Sequence, residues 1–288
     1  MEALNIYSAQ ELRTIQTIEL NTLKVIIELC EQEHIEYFLI GGSTLGAIRH
    51  GGFIPWDDDI DIGMLRPHFE RFLAVAAERL PQGYSLQSPY DKHSAYYYAK
   101  VRVDGTEFVE YCNRTCKMHR GIYVDVFAFD EVPDDDKENQ KHFNRFQRLI
   151  RIFSLRQSPD VSRKPQTGKE KCISGIRFVL HLLTKCIPHR MIHRSLLRCQ
   201  TKWNGSEQQA LAFMNFPVRK TEYIKKEDLY PLIDWKFETM TVKIPREYDT
   251  YLKTHYGDYM KLPPKEKQFG HKPYLVNLGK FAEGEIER

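Results

Sequence analysis

Two aspartates separated by one residue, Asp59 and Asp61, are the side chains in this sequence best suited to chemistry. In a β-strand alternate side chains share a face, so both carboxylates would project together while Ile60 and Ile62 enter the core. Carboxylates this close repel each other unless a cation lies between them. Mg²⁺ prefers oxygen ligands and keeps room for phosphate. The pair therefore predicts a Mg²⁺ site that Mn²⁺ could also fill, with an acidic surface turn as the alternative.

Two further acids, Asp57 and Asp58, directly precede this pair. Asp57 follows Pro55-Trp56 and is predicted to cap or hydrogen-bond that turn. Asp58 falls on the core-facing side of the predicted strand, which makes it a poorer candidate for a ligand. The metal ligands are therefore expected at the two acids that follow.

A glycine pair in Gly41-Gly42-Ser43 joins a short apolar run to a helical segment. A helix N-terminus offers unpaired N–H groups and a positive dipole end, both of which suit a phosphate. Paired glycines let the backbone approach such a group closely. We therefore predict that Gly41, Gly42 and Ser43 face a phosphate.

A third acid, Asp125, is the one charged residue in the run Ile122 to Phe127. A buried carboxylate without a partner is costly, so Asp125 is expected to meet a cation or a hydrogen-bond donor. A salt bridge to an arginine is the alternative. Because a strand, a glycine turn, a helix, an acidic pair and a later strand aspartate follow one another in order, coincidence is the weaker explanation.

Three basic residues are candidates for binding phosphate. Arg49 ends the short helix and could bind a phosphate bidentately, with an ion pair to the aspartates as the alternative. Lys100 and Arg102 lie two apart on a predicted strand and so share a face, with ordinary solvent exposure as the alternative. The preceding run Tyr96 to Tyr98 could stack on a base, although an aromatic strand face more often belongs to a core.

Two other motifs are weaker. Cys112, Cys116 and His119 have a spacing that invites zinc, but no fourth ligand is evident nearby, so loop cysteines are expected instead. His271 lies in a polar loop near the end of the chain and could contribute to the site, with simple exposure as the alternative.

Hydrophobic periodicity predicts an α+β protein: a mixed sheet with flanking helices, a helical basic insert and a C-terminal α/β extension. Helices are predicted over 8–34, 43–49, 66–80 and 246–256, and a hairpin over 237–244. Strands are predicted over 35–40, 84–87, 95–103, 107–111 and 121–127, with the aspartates in an extended stretch, 53–64. We expect a catalytic core over 1–133, the insert over 134–205, and an extension over 206–288 that packs on the core.

The charge is unevenly distributed along the chain. Residues 141–202 carry 15 Lys or Arg and two acids, a net of +13, which leaves −10 for the rest of a chain whose total is +3. An apolar stripe from Ile173 to Ile187 runs along a basic helix. This stripe is expected to pack on the protein body. Contact with an anionic membrane, binding of an anionic acceptor and a solvated face are the alternatives.

Composition favours a globular chain of 288 residues with 42% hydrophobic and 28% charged residues. The first residues do not read as a secretory signal, and no apolar run approaches the ~20 residues of a membrane span. Six scattered cysteines are typical of free thiols. We therefore expect a cytoplasmic protein, peripheral at the inner face of the membrane if the basic helix binds there. Nucleic acid is not expected as a partner, because no recognition motif accompanies the basic charge.

The order of these motifs resembles the nucleotidyltransferase superfamily of the DNA polymerase β type. Three segments are similar, more specifically, to the LicD family: GGSTLGAIRHGGFIPWDDDIDIGM, GIYVDVFAFD and IPREYDTYLKTHYGDYMKLPP. The similarity covers both ends of the chain, is most specific in the first segment and is loosest in the basic insert. LicD proteins include phosphocholine transferases of bacterial surface glycans and are related to fukutin-type ribitol-phosphate transferases.

This resemblance implies an enzyme that moves a phospho-alcohol from a CDP-linked donor to a sugar hydroxyl of a surface glycan, such as lipopolysaccharide or teichoic acid, or of a lipid-linked precursor. CDP-choline is the expected donor. By the same resemblance Asp59, Asp61 and Asp125 are the metal-binding and catalytic carboxylates, and Gly41, Gly42 and Ser43 form the phosphate-side turn. Two alternatives remain open: a nucleotidyltransferase that releases pyrophosphate from an NTP, and a noncatalytic protein that binds glycan or membrane.

Overall fold

The computed structural model describes residues 7–161, 164–216 and 223–283. Its helices are α1 (Ala9–Gln32), α2 (Gly41–His50), α3 (Arg66–Arg79), α4 (Asp136–Gln157), α5 (Gly168–Lys185), α6 (His189–Gln200), α7 (Lys226–Leu229) and α8 (Tyr248–Tyr256). The helix predicted from residue 8 is confirmed as α1, which begins with a capping box: the Ser8 side chain accepts from the Glu11 amide, and the Glu11 side chain accepts in return from the Ser8 amide. The helical nature of the insert is confirmed as well.

The strands form one mixed sheet and two small ribbons. They are β1 (Phe38–Leu39), β2 (Asp61–Leu65), β3 (Tyr84–Gln87), β4 (Ala99–Val103), β5 (Glu107–Val109), β6 (Tyr123–Val132), β7 (Ala210–Ala212), β8 (Tyr223–Lys225), β9 (Ile233–Phe237), β10 (Met240–Ile244) and β11 (Leu275–Asn277). The seven-stranded sheet has the order β1-β2-β6-β4-β3, and β7 joins the far half of β6 and pairs with β8. Strands β2 and β6 run parallel, and the other pairs in this sheet are antiparallel.

Each face of the sheet is covered by helices, which confirms the predicted α+β architecture. Along β6, Val124 and Val126 face a core completed by α1 and α3. Phe127 and Phe129 point to the other face, where they pack with residues of α2 and α8. Because strand side chains alternate, Asp125 lies on the α2 and α8 face together with Phe127. The fold thus places this acid beside the N-terminal end of the chain's second helix.

The predicted hairpin near the end of the chain is confirmed as β9 paired with β10. Phe237, Val242 and Ile244 of this hairpin share a core with β1 and β2. The boundaries expected at 133/134 and 205/206 remain a prediction. The expected extended stretch at 53–64 is corrected: β2 begins only at Asp61, and the residues from Ile54 to Ile60 form a turn and an irregular segment.

Gly46 in α2 lies against the turn that follows the helix. A Cβ built on it would be 2.4 Å from the Gly52 carbonyl oxygen and 3.2 Å from the Ile54 amide nitrogen. We expect Gly46→Ala to lower the free energy of unfolding by about 1–3 kcal/mol, because backbone atoms must shift to admit the methyl group. Urea denaturation measures this change. Gly175→Ala is the matched control, since a Cβ there meets nothing within 4 Å, and it should be neutral or slightly stabilising.

The predicted packing of the insert's apolar stripe is wrong. None of the side chains of α5 is buried, and its large apolar residues are exposed. The helix instead contacts the body through its polar side, because Arg177 and His181 bind carbonyl oxygens beyond and near the end of α4. Hydrogen bonding, rather than apolar burial, has set the orientation of this helix.

Candidate active site

The centre of the site is a row of three charged residues across neighbouring strands. Asp61 on β2 pairs in register with Asp125 on β6, and Asp125 pairs with Lys100 on β4. Directly paired residues in a sheet point to the same face, so two carboxylates and an ammonium group stand side by side. The Lys100 Nζ atom donates to Asp125 Oδ1 at 2.5 Å. Asp125 therefore has the cationic partner that its buried position requires, and that partner is a lysine.

Asp57 and Asp59 join this row from the segment before β2. Asp57 hydrogen-bonds the turn at Pro55-Trp56, as predicted, through its amide, which donates to the Ile54 carbonyl oxygen at 2.9 Å, while its carboxylate enters the site. Its Oδ2 would lie 3.0 Å from a Cβ on Gly42, and its side chain hydrogen-bonds that of Asp59. Both acids line the same cavity as Asp61. The site thus has one more carboxylate than the sequence predicted.

Asp58 is turned the other way and is held by hydrogen bonds. The Tyr7 hydroxyl donates to its Oδ2, the His271 amide donates to Oδ1 at 3.0 Å, and the His271 ring Nδ1 lies 2.9 Å from Oδ1. A Cβ at Gly270 would lie 2.6 Å from Oδ1, so glycine lets the loop close on this acid. Asp58 therefore anchors the C-terminal loop and the N-terminal segment to the site.

The crowding of carboxylates shows in their proton affinities. Burial raises the pKa of Asp61 well above its usual range, and the charges of Asp59, Asp125 and Asp57 raise it further. Burial likewise raises the pKa of Asp57, with help from Asp59 and Asp58. This electrostatic strain would be relieved by a bound divalent cation, whose preferred ligands are oxygens of this kind.

Two cations partly offset the acids. Burial alone would lower the pKa of His271, but the charges of Asp59 and Asp58 and the hydrogen bond to Asp58 raise it to about 11. His271 is therefore an imidazolium ion at neutral pH. Burial lowers the pKa of Lys100, an effect that Asp125 opposes. Burial raises the pKa of Asp125 to about 6, although Lys100 acts in the opposite direction.

Lys100 is enclosed by aromatic rings. Its Nζ lies 3.2 Å from the ring centroid of Tyr123, 4.4 Å from that of Tyr96 and 5.1 Å from that of Tyr98. The lysine is only 1% exposed, which excludes the alternative of ordinary solvent exposure. Ring faces attract an ammonium ion and hold it where Asp125 can bind it.

The glycine turn forms the first turn of α2, whose N-terminal end lies over the acids. Gly41 has a φ of +52°, a conformation that favours glycine. Its amide donates to the Tyr251 hydroxyl at 2.9 Å, and Ser43 Oγ accepts from the Asp61 amide at 2.8 Å. Gly42 lines a cavity together with Asp57, Asp59 and Asp61. Contact of Gly41, Gly42 and Ser43 with phosphate remains a prediction. The hydrogen bond from the Asp61 amide shows in addition that Ser43 positions Asp61.

The other predicted basic residues lie apart from the acids. Arg49 donates to the Tyr259 carbonyl oxygen at 2.6 Å and to the His50 ring at 2.9 Å. Arg102 is buried and donates to Gln87 Oε1 and to the Gly121 carbonyl oxygen, both at 2.6 Å. Lys100 and Arg102 share a strand face, as predicted, but neither side chain lines the two cavities at the acids. Phosphate binding by Arg49, Lys100 and Arg102 remains a prediction.

Two cavities meet at the acidic cluster. The larger, of about 340 Å³, has walls of tyrosine and of residues from α4 and α5. The smaller, of about 310 Å³, lies between α2 and the loop around His271. Asp59, Asp61 and His271 line both cavities. The acids can therefore contact two ligands, one from each side, which is the arrangement that a group transfer requires.

Within the described residues, one group of metal-ligand side chains converges: Asp58, Asp59 and His271, with ligand atoms within 4.8 Å of one another. Asp58 already accepts hydrogen bonds from Tyr7 and His271, which leaves it less able to bind a metal. His119, from the proposed zinc motif, contacts Asp104 at 2.8 Å instead. Asp59 of this group also lines both cavities, together with Asp61.

Sequence reasoning missed several residues of the site. Glu19 on α1 is buried, its Oε2 has no hydrogen-bond partner among the described residues, and burial and the nearby aspartates raise its pKa. The sequence did offer a signal for Glu19, because it lies among the apolar residues of α1 that face the core. A buried glutamate is costly unless it has a partner or a function. Tyr7 gave no comparable signal, because its partner Asp58 is 51 residues away.

Comparison with known proteins agrees with this architecture. Residues 34–154 match the family model described as LicD/FKTN/FKRP, nucleotidyltransferase domain. The lipopolysaccharide cholinephosphotransferase LicD of Haemophilus influenzae is 30% identical over 263 residues, which cover 90% of this chain and 95% of that protein. The human and mouse ribitol 5-phosphate transferase FKRP are each 46% identical over 43 residues, 15% of this chain and 9% of theirs. Because this LicD relative is 30% identical and the match covers 90% of this chain and 95% of the relative, this protein belongs to the LicD family.

Proposed function

We propose that the protein transfers a phospho-alcohol from a CDP-linked donor to a sugar hydroxyl of a cell-surface glycan or its lipid-linked precursor, with Mg²⁺ as cofactor. The observation that carries this proposal is the acidic cluster shared by two cavities. The relatives, a lipopolysaccharide cholinephosphotransferase and a ribitol 5-phosphate transferase, both transfer a phospho-alcohol, which supports the proposal. We propose phosphocholine as the group transferred, because the relative that covers 90% of the chain carries that activity.

Asp59, Asp61 and Asp125 are the residues that we propose to hold the metal. All of their ligand atoms are carboxylate oxygens, and the repulsion between these carboxylates favours the binding of a divalent cation. When bound, Mg²⁺ would neutralise charge on the donor diphosphate and on the leaving CMP. Mn²⁺, which accepts similar ligands, should substitute for it.

Asp125 is also our candidate for the base that takes the proton of the acceptor hydroxyl. In the metal-free protein burial raises its pKa to about 6, and a bound cation would lower this pKa, so the group would be ionised at neutral pH and able to accept a proton. Lys100 binds Oδ1, which leaves the lone pairs of Oδ2 for the metal and for this proton. The alkoxide so formed attacks the distal phosphorus, its new P–O bond replaces the bond to the CMP oxygen, and CMP leaves.

The two cavities suggest how the substrates are arranged. Gly42 and the N-terminal end of α2 flank the smaller cavity and suit the phosphates of the donor. The larger cavity presents Tyr96, Tyr97 and the Glu110 carboxylate, which accepts from the Tyr96 hydroxyl. Aromatic faces beside a carboxylate suit a quaternary ammonium group. A cationic alcohol is therefore preferred over a neutral one in this proposal.

Release of CMP from a panel of CDP-alcohols tests the proposed function. With Mg²⁺ and a glycolipid acceptor, we expect CMP from CDP-choline, less from CDP-ethanolamine, and at least about 10²-fold less in Asp59→Ala, because loss of a charged group at the reacting centre costs this much. Asp234→Ala, which removes an exposed carboxylate paired with Lys243, is the control and should retain activity. Pyrophosphate from CTP, with no CMP from any donor, would contradict the proposal and favour a nucleotidyltransferase.

A further inference from the structure

Helix α5 presents its apolar side chains to the outside. Seven large apolar residues on this one helix are between 43% and 60% exposed: Ile173, Ile176, Phe178, Val179, Leu180, Leu182 and Leu183. On a helix of 3.6 residues per turn, these positions cover more than half of the circumference. A surface of this extent on one helix is far from the scattered exposure that is ordinary in soluble proteins.

The polar side of α5 faces the protein and is fixed there. Arg177 Nε donates to the Pro159 carbonyl oxygen at 2.9 Å, and its Nη2 donates to that of Asp160 at 3.2 Å. The His181 ring Nδ1 lies 2.7 Å from the Leu155 carbonyl oxygen. Surface helices usually bury the apolar face and expose the polar one. In α5 the polar face contacts the protein, and the apolar face is exposed at the surface.

The exposed apolar face is bordered by positive charge. Lys169, Lys171 and Lys185 on α5 are exposed, and Arg190 follows at the start of α6. The helix carries a single acid, Glu170, which caps its own N-terminus. Apolar residues flanked by lysines are the pattern of helices that lie in the interface of an anionic bilayer.

We propose that α5 docks the protein on an anionic lipid bilayer, with its apolar side chains at the boundary of headgroups and acyl chains and its lysines at the headgroups. A bilayer complements the charge of this face. A second copy of the chain would instead bring the lysines of two helices together, which costs energy. Among the described residues, no helix is long and apolar enough to cross a membrane.

Docking through α5 would place the larger cavity near the bilayer, because α5 forms part of the wall of that cavity. Arg177 lines that cavity together with Ser158 and Asp160, so α5 forms part of its wall. A protein docked through α5 holds the cavity close to the bilayer surface. An acceptor carried on lipid could then reach the acids without leaving the membrane, entering the larger cavity beside the alcohol of a donor whose phosphates lie in the smaller one. The docking itself requires no turnover, so it can fail or succeed independently of the proposed function.

Flotation with lipid vesicles tests the docking. The full chain is mixed with vesicles of phosphatidylcholine alone or with one quarter phosphatidylglycerol, and the bound fraction is measured. We expect binding to the anionic vesicles, weaker binding at high salt, and at least about tenfold weaker partitioning for Ile176→Glu/Leu183→Glu, since binding scales with buried apolar area. Leu262→Glu, the same change at an exposed leucine outside α5, should bind as the unchanged protein does.

Circular dichroism should show the double variant folded, because α5 buries none of its side chains. Equal vesicle binding by the unchanged protein and by Ile176→Glu/Leu183→Glu would overturn the proposal. So would absence of vesicle binding together with a dimer in light scattering that the same variant dissociates, since a second copy would then cover the face.

Discussion

Asp61→Asn is expected to abolish transfer and, at the same time, to make the metal-free protein harder to unfold. If Asp61 is a metal ligand as proposed, its loss should lower kcat/KM by at least about 10³-fold. Asparagine nevertheless keeps the size of the side chain, and the hydrogen bond from the residue 61 amide to Ser43 Oγ does not depend on the charge. Opposite effects on activity and stability are expected where function requires carboxylates that repel one another and so destabilise the folded state.

The sign of the stability effect follows from the raised pKa of Asp61. Burial and the neighbouring acids raise this pKa above its unfolded value. The carboxyl group is therefore compatible with folding at acid pH, and it increasingly destabilises the protein as the pH rises toward the folded-state pKa. Asp61→Asn removes this charge, so its advantage in the melting temperature should be present at neutral pH and vanish in acid.

Added metal should reverse the comparison. Mg²⁺ or Mn²⁺ is expected to raise the melting temperature of the unchanged protein, because a ligand that binds the folded state stabilises it. The same addition should barely affect Asp61→Asn. Asp234→Asn, at an exposed acid in a surface pair, is the control and should shift with metal as the unchanged protein does. A metal response retained in full by Asp61→Asn would contradict the assignment of Asp61.

Asp130→Ala is expected to lower the free energy of unfolding by about 3–5 kcal/mol, the cost of leaving one partner of a buried ion pair alone. Asp130 is 1% exposed. Its Oδ1 accepts from Arg66 Nε at 2.9 Å and from Asn204 at 2.7 Å, and its Oδ2 accepts from Arg66 Nη2 at 2.5 Å. Although burial alone would lower the pKa of Arg66, Asp130 raises it. The arginine would thus stay charged with only the half-exposed Glu70 carboxylate left to pair with it.

Urea denaturation measures this cost, and two variants check its origin. Glu70→Ala removes a half-exposed partner of the same Arg66 and should cost under about 1 kcal/mol, as surface pairs do. Arg66→Met/Asp130→Leu removes both charges and should recover most of the loss. A cost for Asp130→Ala no larger than that for Glu70→Ala would show that the buried pair does not stabilise this fold.

Much of the site was predictable because its residues are close in sequence or belong to strands. The pair Asp59 and Asp61 is separated by a single residue, and Asp125 interrupts an apolar strand. Pairing of β2 with β6 then brings them together. The turn of Asp57 into the site was not predictable, since it depends on where β2 begins. The contact of His271 with Asp58 spans 213 residues and leaves no periodic signal.

The orientation of α5 in the insert could not be predicted from the sequence. Periodicity identified the apolar stripe of α5 correctly, but it cannot tell which side of a helix meets the protein. The carbonyl oxygens of Leu155, Pro159 and Asp160 bind the polar side, and their positions follow from the end of α4. Orientation was therefore decided by hydrogen-bond acceptors that a sequence pattern does not reveal.

Phosphorus-31 NMR of the products formed from CDP-choline, a glycolipid acceptor and Mg²⁺ tests the central claim most directly. The proposed mechanism predicts CMP together with a new phosphodiester on the glycan, both absent when Asp61→Asn replaces the unchanged protein. Free phosphocholine with CMP attached to the glycan would mean attack at the proximal phosphorus, and would contradict phospho-alcohol transfer.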